Sequence, residues 1–193
     1  MTKRTGKEYR FATKAIHSGQ EPDSATGAVI VPIYATSTYA QESPGQFKGF
    51  DYSRTANPTR QSLEECMADL EGGSKAFAFA SGMAATATVL ELLDSGDHVI
   101  SMDDLYGGTY RLFENVRKRS SNLEFSFVDL SNLETLKENL KPNTKMIWVE
   151  SPSNPLLKVV DLKRVSEFAK ENNLLCVCDN TFCSPFVQRP LDL

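Results

Sequence analysis

Between Ala76 and Asp179 the chain keeps changing its hydrophobic period, and that alternation constrains the fold more than any other feature. Ala76–Ala80, Val99–Met102, Phe125–Val128, Lys145–Glu150 and Leu174–Asp179 read as short apolar strands. Met83–Leu93, Thr109–Arg119, Leu133–Leu140 and Asp161–Glu171 read as helices, the third opened by the capping box Ser131-x-x-Glu134. Strand and helix in turn specify an α/β fold with a mainly parallel sheet covered by helices on both faces. The final run, Leu174–Asp179, reads as a strand buried on both faces. It stops at a carboxylate, at the edge where open α/β sheets bind ligands. An Asp-Asn pair in that place also serves as an ordinary turn.

Residues 1–58 have a different character. Gly19, Pro22, Gly27, Pro32, Pro44, Gly45, Gly49 and Pro58 interrupt every period, so the segment reads as an irregular arm laid on another surface, the rest of the fold or a second subunit. Within the arm Tyr52 and Arg54 are two residues apart. In extended backbone they point the same way, either as an anion-binding pair or as a packing tyrosine beside a surface arginine. A helix is expected from about Thr59, with Leu63, Cys66, Met67 and Leu70 on its apolar face and Gly72-Gly73 at its end. Residues 59–193 then form the α/β domain.

A net charge of −4 argues against nucleic acid or an anionic membrane as the main partner. No run is apolar and long enough to span a bilayer. The basic start Met1–Lys7 lacks the apolar segment of a signal peptide, so a cytoplasmic location is expected. The four cysteines lack metal-ligand spacing, and His17 and His98 are distant in sequence; buried free thiols and no metal site are expected.

Four strand-to-helix turns carry unusual residues. Ser81-Gly82-Met83 leaves backbone N–H groups free at a helix N-terminus, which makes either a phosphate cradle or a turn kept small for packing. Asp104-Leu105-Tyr106-Gly107-Gly108 offers an aromatic ring beside two glycines. Glu150-Ser151-Pro152-Ser153-Asn154-Pro155 brackets an asparagine with prolines, as an amide donor or a turn cap. The fourth turn holds Asp179 and Thr181. A phosphate cradle, an aromatic plate, an amide and a lone carboxylate together suit pyridoxal 5′-phosphate, whose ring nitrogen is commonly paired with an aspartate.

Five motifs occur in order: Tyr52-Ser53-Arg54-x-x-Asn57-Pro58, Ala80-Ser81-Gly82-Met83, Asp104-x-Tyr106-Gly107-Gly108, Glu150-Ser151-Pro152-Ser153-Asn154-Pro155 and Asp179-Asn180-Thr181-Phe182. In this register the chain resembles, from about Thr13 to Leu193, the Cys/Met-metabolism family of pyridoxal-phosphate enzymes. The resemblance implies the large domain of the fold-type I transferases, incomplete at its C-terminus. It also implies an amino-acid substrate and elimination or replacement chemistry on sulfur amino acids, with γ-elimination first and γ-replacement its nearest rival.

By that resemblance Ser81, Gly82 and Met83 meet the cofactor phosphate, Tyr106 stacks on the ring, and Asp179 keeps the ring nitrogen protonated. Thr181 supports the ring, and Asn154 contacts the phenolic oxygen or the substrate carboxylate. Tyr52 and Arg54 reach a neighbouring subunit's site, with Tyr52 also near substrate, in a dimer of dimers. The family's Schiff-base lysine lies in a Ser-x-Thr-Lys context some tens of residues after the Asp179 motif, which these 193 residues do not reach. The expectation is therefore one piece of a longer chain. The alternative is a non-catalytic fragment.

Overall fold

A computed structural model describes residues 9–193. The basic start at residues 1–7 lies outside them. The chain separates into two units, the first ending at Ala78 and the second running from Phe79 to Leu193.

The first unit is built on two helices, α1 (Phe11–His17) and α2 (Pro58–Glu71). Asn57 caps α2 by accepting the Thr59 N–H at 2.9 Å, and Pro58 supplies a first-turn residue that needs no donor. Gly72 closes the helix in the left-handed conformation, as its sequence position implies. Leu70 is buried, whereas Leu63 of the expected apolar face stays exposed. Lys14 pairs with Asp69 at 2.9 Å, and the Ser18 hydroxyl donates to the same carboxylate. Gly19, at φ +69°, is obligatory, because a Cβ there would stand 2.4 Å from the Ser62 carbonyl oxygen. The stretch from Gln20 to Ala56 is mostly irregular. Its hairpin joins β1 (Gln41–Ser43) to β2 (Gln46–Phe47), and Arg60 ties the end of the stretch down by donating to the Ser53 and Thr55 carbonyls.

The second unit holds a four-stranded parallel sheet of β3 (His98–Met102), β4 (Glu124–Val128), β5 (Thr144–Glu150) and β6 (Leu175–Asp179), in the order β4-β3-β5-β6. Its helices are α3 (Gly82–Val89), α4 (Gly107–Arg111), α5 (Lys118–Ser120), α6 (Leu133–Glu138) and α7 (Leu162–Glu171). A π-helical stretch, Leu112–Arg117, makes α4 and α5 one continuous rod. Every residue of β3 is buried, as is every residue of β5 except Lys145. Successive side chains of a strand point to opposite faces, so both faces of these central strands are covered. Phe113 fastens the rod to the sheet, stacking on Phe125 at 4.8 Å and meeting Trp148 edge-on at 5.3 Å.

Four local expectations fail for identifiable reasons. Ala76–Ala80 forms no strand, because no neighbouring backbone offers it a ladder among the described residues. The Ala78 N–H instead donates to the Glu64 carboxylate at 2.9 Å. The capping box at Ser131 is displaced by one residue: Asn132 accepts the Glu134 N–H at 3.1 Å, and the Ser131 N–H donates to Asp129. β6 is not buried on both faces, since it is the sheet's edge and Leu175 is 45% exposed. For the same reason Cys176 is exposed and Cys178 half-buried; Cys66 and Cys183 are half-buried too, and none of the four is in a disulfide. Among the described residues no helix is long and apolar enough to cross a membrane.

A candidate cofactor site at the carboxyl edge of the sheet

The carboxyl ends of β3, β5 and β6 lead into three of the four turns singled out by sequence. In the β5–β6 ladder Glu150 is the register partner of Asp179, and partners across a ladder present their side chains on one face. A cavity of about 350 Å³ opens there. Ser81, Gly82, Met83, Tyr106, Asn154, Asp179 and Thr181 all line it. Ser81 and Thr181, 100 positions apart in sequence, share one cavity because the fold gathers their turns.

One wall is the N-terminus of α3. The Ser81 side chain caps the helix by accepting the Ala84 N–H at 3.1 Å, which leaves the hydroxyl proton free to be donated. The N–H groups of Gly82 and Met83 come first in the helix and have no intrahelical acceptor. Nothing stands within 4 Å of where a Gly82 Cβ would be, so the backbone there is open to an anion.

The second wall is Tyr106, the residue preceding α4, with its side chain 47% exposed. Its ring lies against Gly108: a Cβ on Gly108 would fall 2.4 Å from Tyr106 Cε1 and 3.1 Å from Met83 Sδ. The Tyr106 N–H donates to both carboxyl oxygens of Glu150, at 3.0 and 3.2 Å. Asp104, buried, accepts the Leu156 N–H at 2.9 Å and the Ser153 hydroxyl. Lys158 donates to Asp103 at 2.8 Å. These bonds join the turn after β3 to the loop after β5 and so set the place of Asn154. The Ser151–Pro152 and Asn154–Pro155 bonds of that loop are both cis.

The third wall is the end of β6. One oxygen of Asp179, Oδ1, accepts both the Thr181 N–H, at 3.1 Å, and the Thr181 hydroxyl. Burial pushes the Glu150 carboxyl above the usual carboxylate range; the Tyr106 N–H works against that rise, and the charges of Asp179 and Asp104 add to it.

Tyr52 and Arg54 belong to the first unit, where the Arg54 guanidinium carbon sits 5.0 Å from the centre of the Tyr52 ring. The cavity lining is drawn from the second unit. Sequence reasoning missed Thr86, Thr109, Glu150, Pro152 and Phe182 as lining residues. Glu150 had a usable signal, since it ends an apolar strand with a carboxylate just as Asp179 does.

The donors and shape fit the expected cofactor: open N–H groups for a phosphate, a flat ring beside them, and a carboxylate at the far strand end. Comparison with known proteins agrees. Residues 12–193 match the family model described as Cys/Met metabolism PLP-dependent enzyme. The chain is 60% identical over its full length to a Coxiella burnetii protein named cystathionine beta-lyase, covering 50% of it. It is 51% identical to a Herpetosiphon aurantiacus protein named probable cystathionine gamma-synthase, across 96% of this chain and 58% of that one. The crystal structure of cystathionine gamma-lyase from Lactobacillus plantarum complexed with L-serine superposes with a TM-score of 0.92 at 46% identity, across 95% of this chain and 48% of that one. The chain spans about half the length of the relatives it matches. It belongs to the Cys/Met metabolism family of pyridoxal-phosphate-dependent enzymes and has their fold-type I architecture.

Proposed function

We propose that the protein carrying this chain breaks a carbon–sulfur bond of L-cystathionine by γ-elimination, releasing cysteine, 2-oxobutanoate and ammonia. The observation that carries this reading is the gathering of an open helix N-terminus, an aromatic plate, an amide and a carboxylate around one cavity. Pyridoxal phosphate supplies an electron sink for the charge left when the substrate loses its Cα proton.

The chain's own residues serve that chemistry by holding and orienting. The Gly82 and Met83 N–H groups and the Ser81 hydroxyl donate to the phosphate, helped by the positive end of α3. Tyr106, which lines the cavity, would cover one face of the ring and shield it from water. Thr181 occupies Oδ1 of Asp179, which leaves Oδ2 as the oxygen that would meet the ring nitrogen, where the negative charge would favour a proton. Asn154 donates its amide to the phenolic oxygen or the substrate carboxylate. Tyr52 and Arg54 extend to the phosphate of a neighbouring subunit, with Tyr52 near the substrate, and the arm of residues 1–58 makes that contact in a cytoplasmic dimer of dimers.

A second reading, β-elimination to homocysteine, pyruvate and ammonia, is favoured by the 60% identity to the relative named cystathionine beta-lyase. γ-Replacement is favoured in turn by the relative named probable cystathionine gamma-synthase. Chromatography of the thiols released from cystathionine separates the first two: cysteine is expected, and homocysteine alone would replace the proposal with β-elimination. Cystathionine formed from an activated homoserine and cysteine, without cleavage, would assign γ-replacement.

A further inference from the structure

Glu150 is the carboxylate that the proposed chemistry leaves unused. It is 4% exposed, it ends a central strand of the sheet, and it sits in register beside Asp179. Both of its oxygens accept the Tyr106 N–H, and the Asn154 backbone N–H also acts on the carboxyl. The Tyr106 donor belongs to the residue preceding α4, whose first turn contains no acidic residue and whose start receives no side-chain cap of its own. A carboxylate from a different strand thus takes the place of a local cap, 44 residues away in sequence.

We propose that Glu150 is a positioning residue: by clamping the Tyr106 N–H it sets where the Tyr106 ring lies over the cofactor site. This rests on the cofactor reading above and adds a residue to it. The ring is nearly half exposed, and one edge of it lies against Gly108. The backbone N–H is therefore where the ring's attachment to the rigid centre of the sheet is made. β5 is the right anchor because it is bonded to strands on both sides, so the clamp does not move with the sheet edge. Burial and the neighbouring Asp179 and Asp104 charges disfavour the ionised carboxyl, so Glu150 can hold a proton and still accept the N–H.

The test is a double-mutant cycle on the protein that carries this chain, reading the equilibrium affinity for pyridoxal 5′-phosphate by absorbance and fluorescence, with thermal melts alongside. Tyr106→Ala is expected to weaken binding. Glu150→Ala is expected to weaken it about tenfold, the scale of one lost hydrogen bond to a carboxyl. In the Tyr106→Ala background the same change is expected to cost less than about twofold, because the residue acts through the ring. Two conservative variants carry the test if Glu150→Ala does not fold. Glu150→Gln keeps an acceptor at the same reach and should stay within about threefold of wild type; Glu150→Asp keeps the charge, withdraws it by one methylene, and should lose about tenfold. Equal losses from Glu150→Ala in both backgrounds, or Glu150→Asp binding better than Glu150→Gln, overturn the proposal while leaving the cofactor reading intact. No binding by the unaltered protein overturns both.

Discussion

β5 and β6 lie side by side in one ladder and both end in a carboxylate, yet they differ in nearly everything else. β5 is bonded on both sides and its apolar residues are fully buried; β6 is bonded on one side and half exposed. Glu150, at the end of β5, is buried and its oxygens accept the Tyr106 N–H, with the Asn154 backbone N–H also acting on it. The Asp179 carboxylate, at the end of β6, accepts from the nearby Thr181 N–H and hydroxyl. The difference teaches a division of labour: the central strand carries the group that fixes the scaffold, and the edge strand carries the group left open to a ligand. The same strand-end signal in sequence therefore stands for two opposite uses.

The comparison can be broken most directly in the strand interiors. Ile147→Ala in β5 should cost about 2–5 kcal/mol of stability, while Leu175→Ala in β6 should cost under about 1 kcal/mol in the 193-residue chain. Urea denaturation of the two variants measures both, and equal losses would mean that β6 is covered after all. At the strand ends the order should reverse for binding. Asp179→Ala should lower affinity for pyridoxal phosphate by about 1.5–3 kcal/mol, the range for a hydrogen bond to a charged group, with little change in melting temperature.

The amino edge of the sheet sharpens the contrast through pH. His98 is fully buried between β4 and β5, with its ring nitrogens 2.8 Å from the Thr144 hydroxyl and 2.9 Å from that of Ser126. Burial, aided by Lys141, lowers its pKa from 6.5 to about 4. Between those values the unfolded chain binds the proton more readily than the folded one. Stability should consequently rise as pH goes from about 4 to about 6.5 and lose that dependence in His98→Gln. Glu150 contributes with the opposite sign: its raised pKa means the folded state holds the proton more tightly, so stability falls as pH climbs above the ordinary glutamate range. Urea midpoints across pH for wild type, His98→Gln and Glu150→Gln separate the two. The smallest effect is expected at Gly108→Ala, where the new methyl must push the Tyr106 ring aside. A loss of about 1 kcal/mol in cofactor affinity, without a matching loss of stability, would show that the ring's place matters and not merely its presence.

Much of this was written in the order of residues. The alternation of period from Val99 to Asp179 specified a parallel α/β sheet, because a buried strand and an amphipathic helix each need a distinctive spacing of apolar side chains. Small residues at Ser81–Gly82–Met83, the ring at Tyr106 and the carboxylate at Asp179 marked the turns, since a site at a strand end needs residue types that packing alone does not ask for. What only the tertiary structure decided was who neighbours whom. Period reports which face a side chain takes, but not whether another strand lies alongside. For that reason Ala76–Ala80 could read as a strand and have no ladder, and Leu174–Asp179 could read as a central strand and lie at an edge. The role of Glu150 was hidden for the same reason: its partner is a backbone N–H on a distant turn, brought near only when β5 packs beside β3.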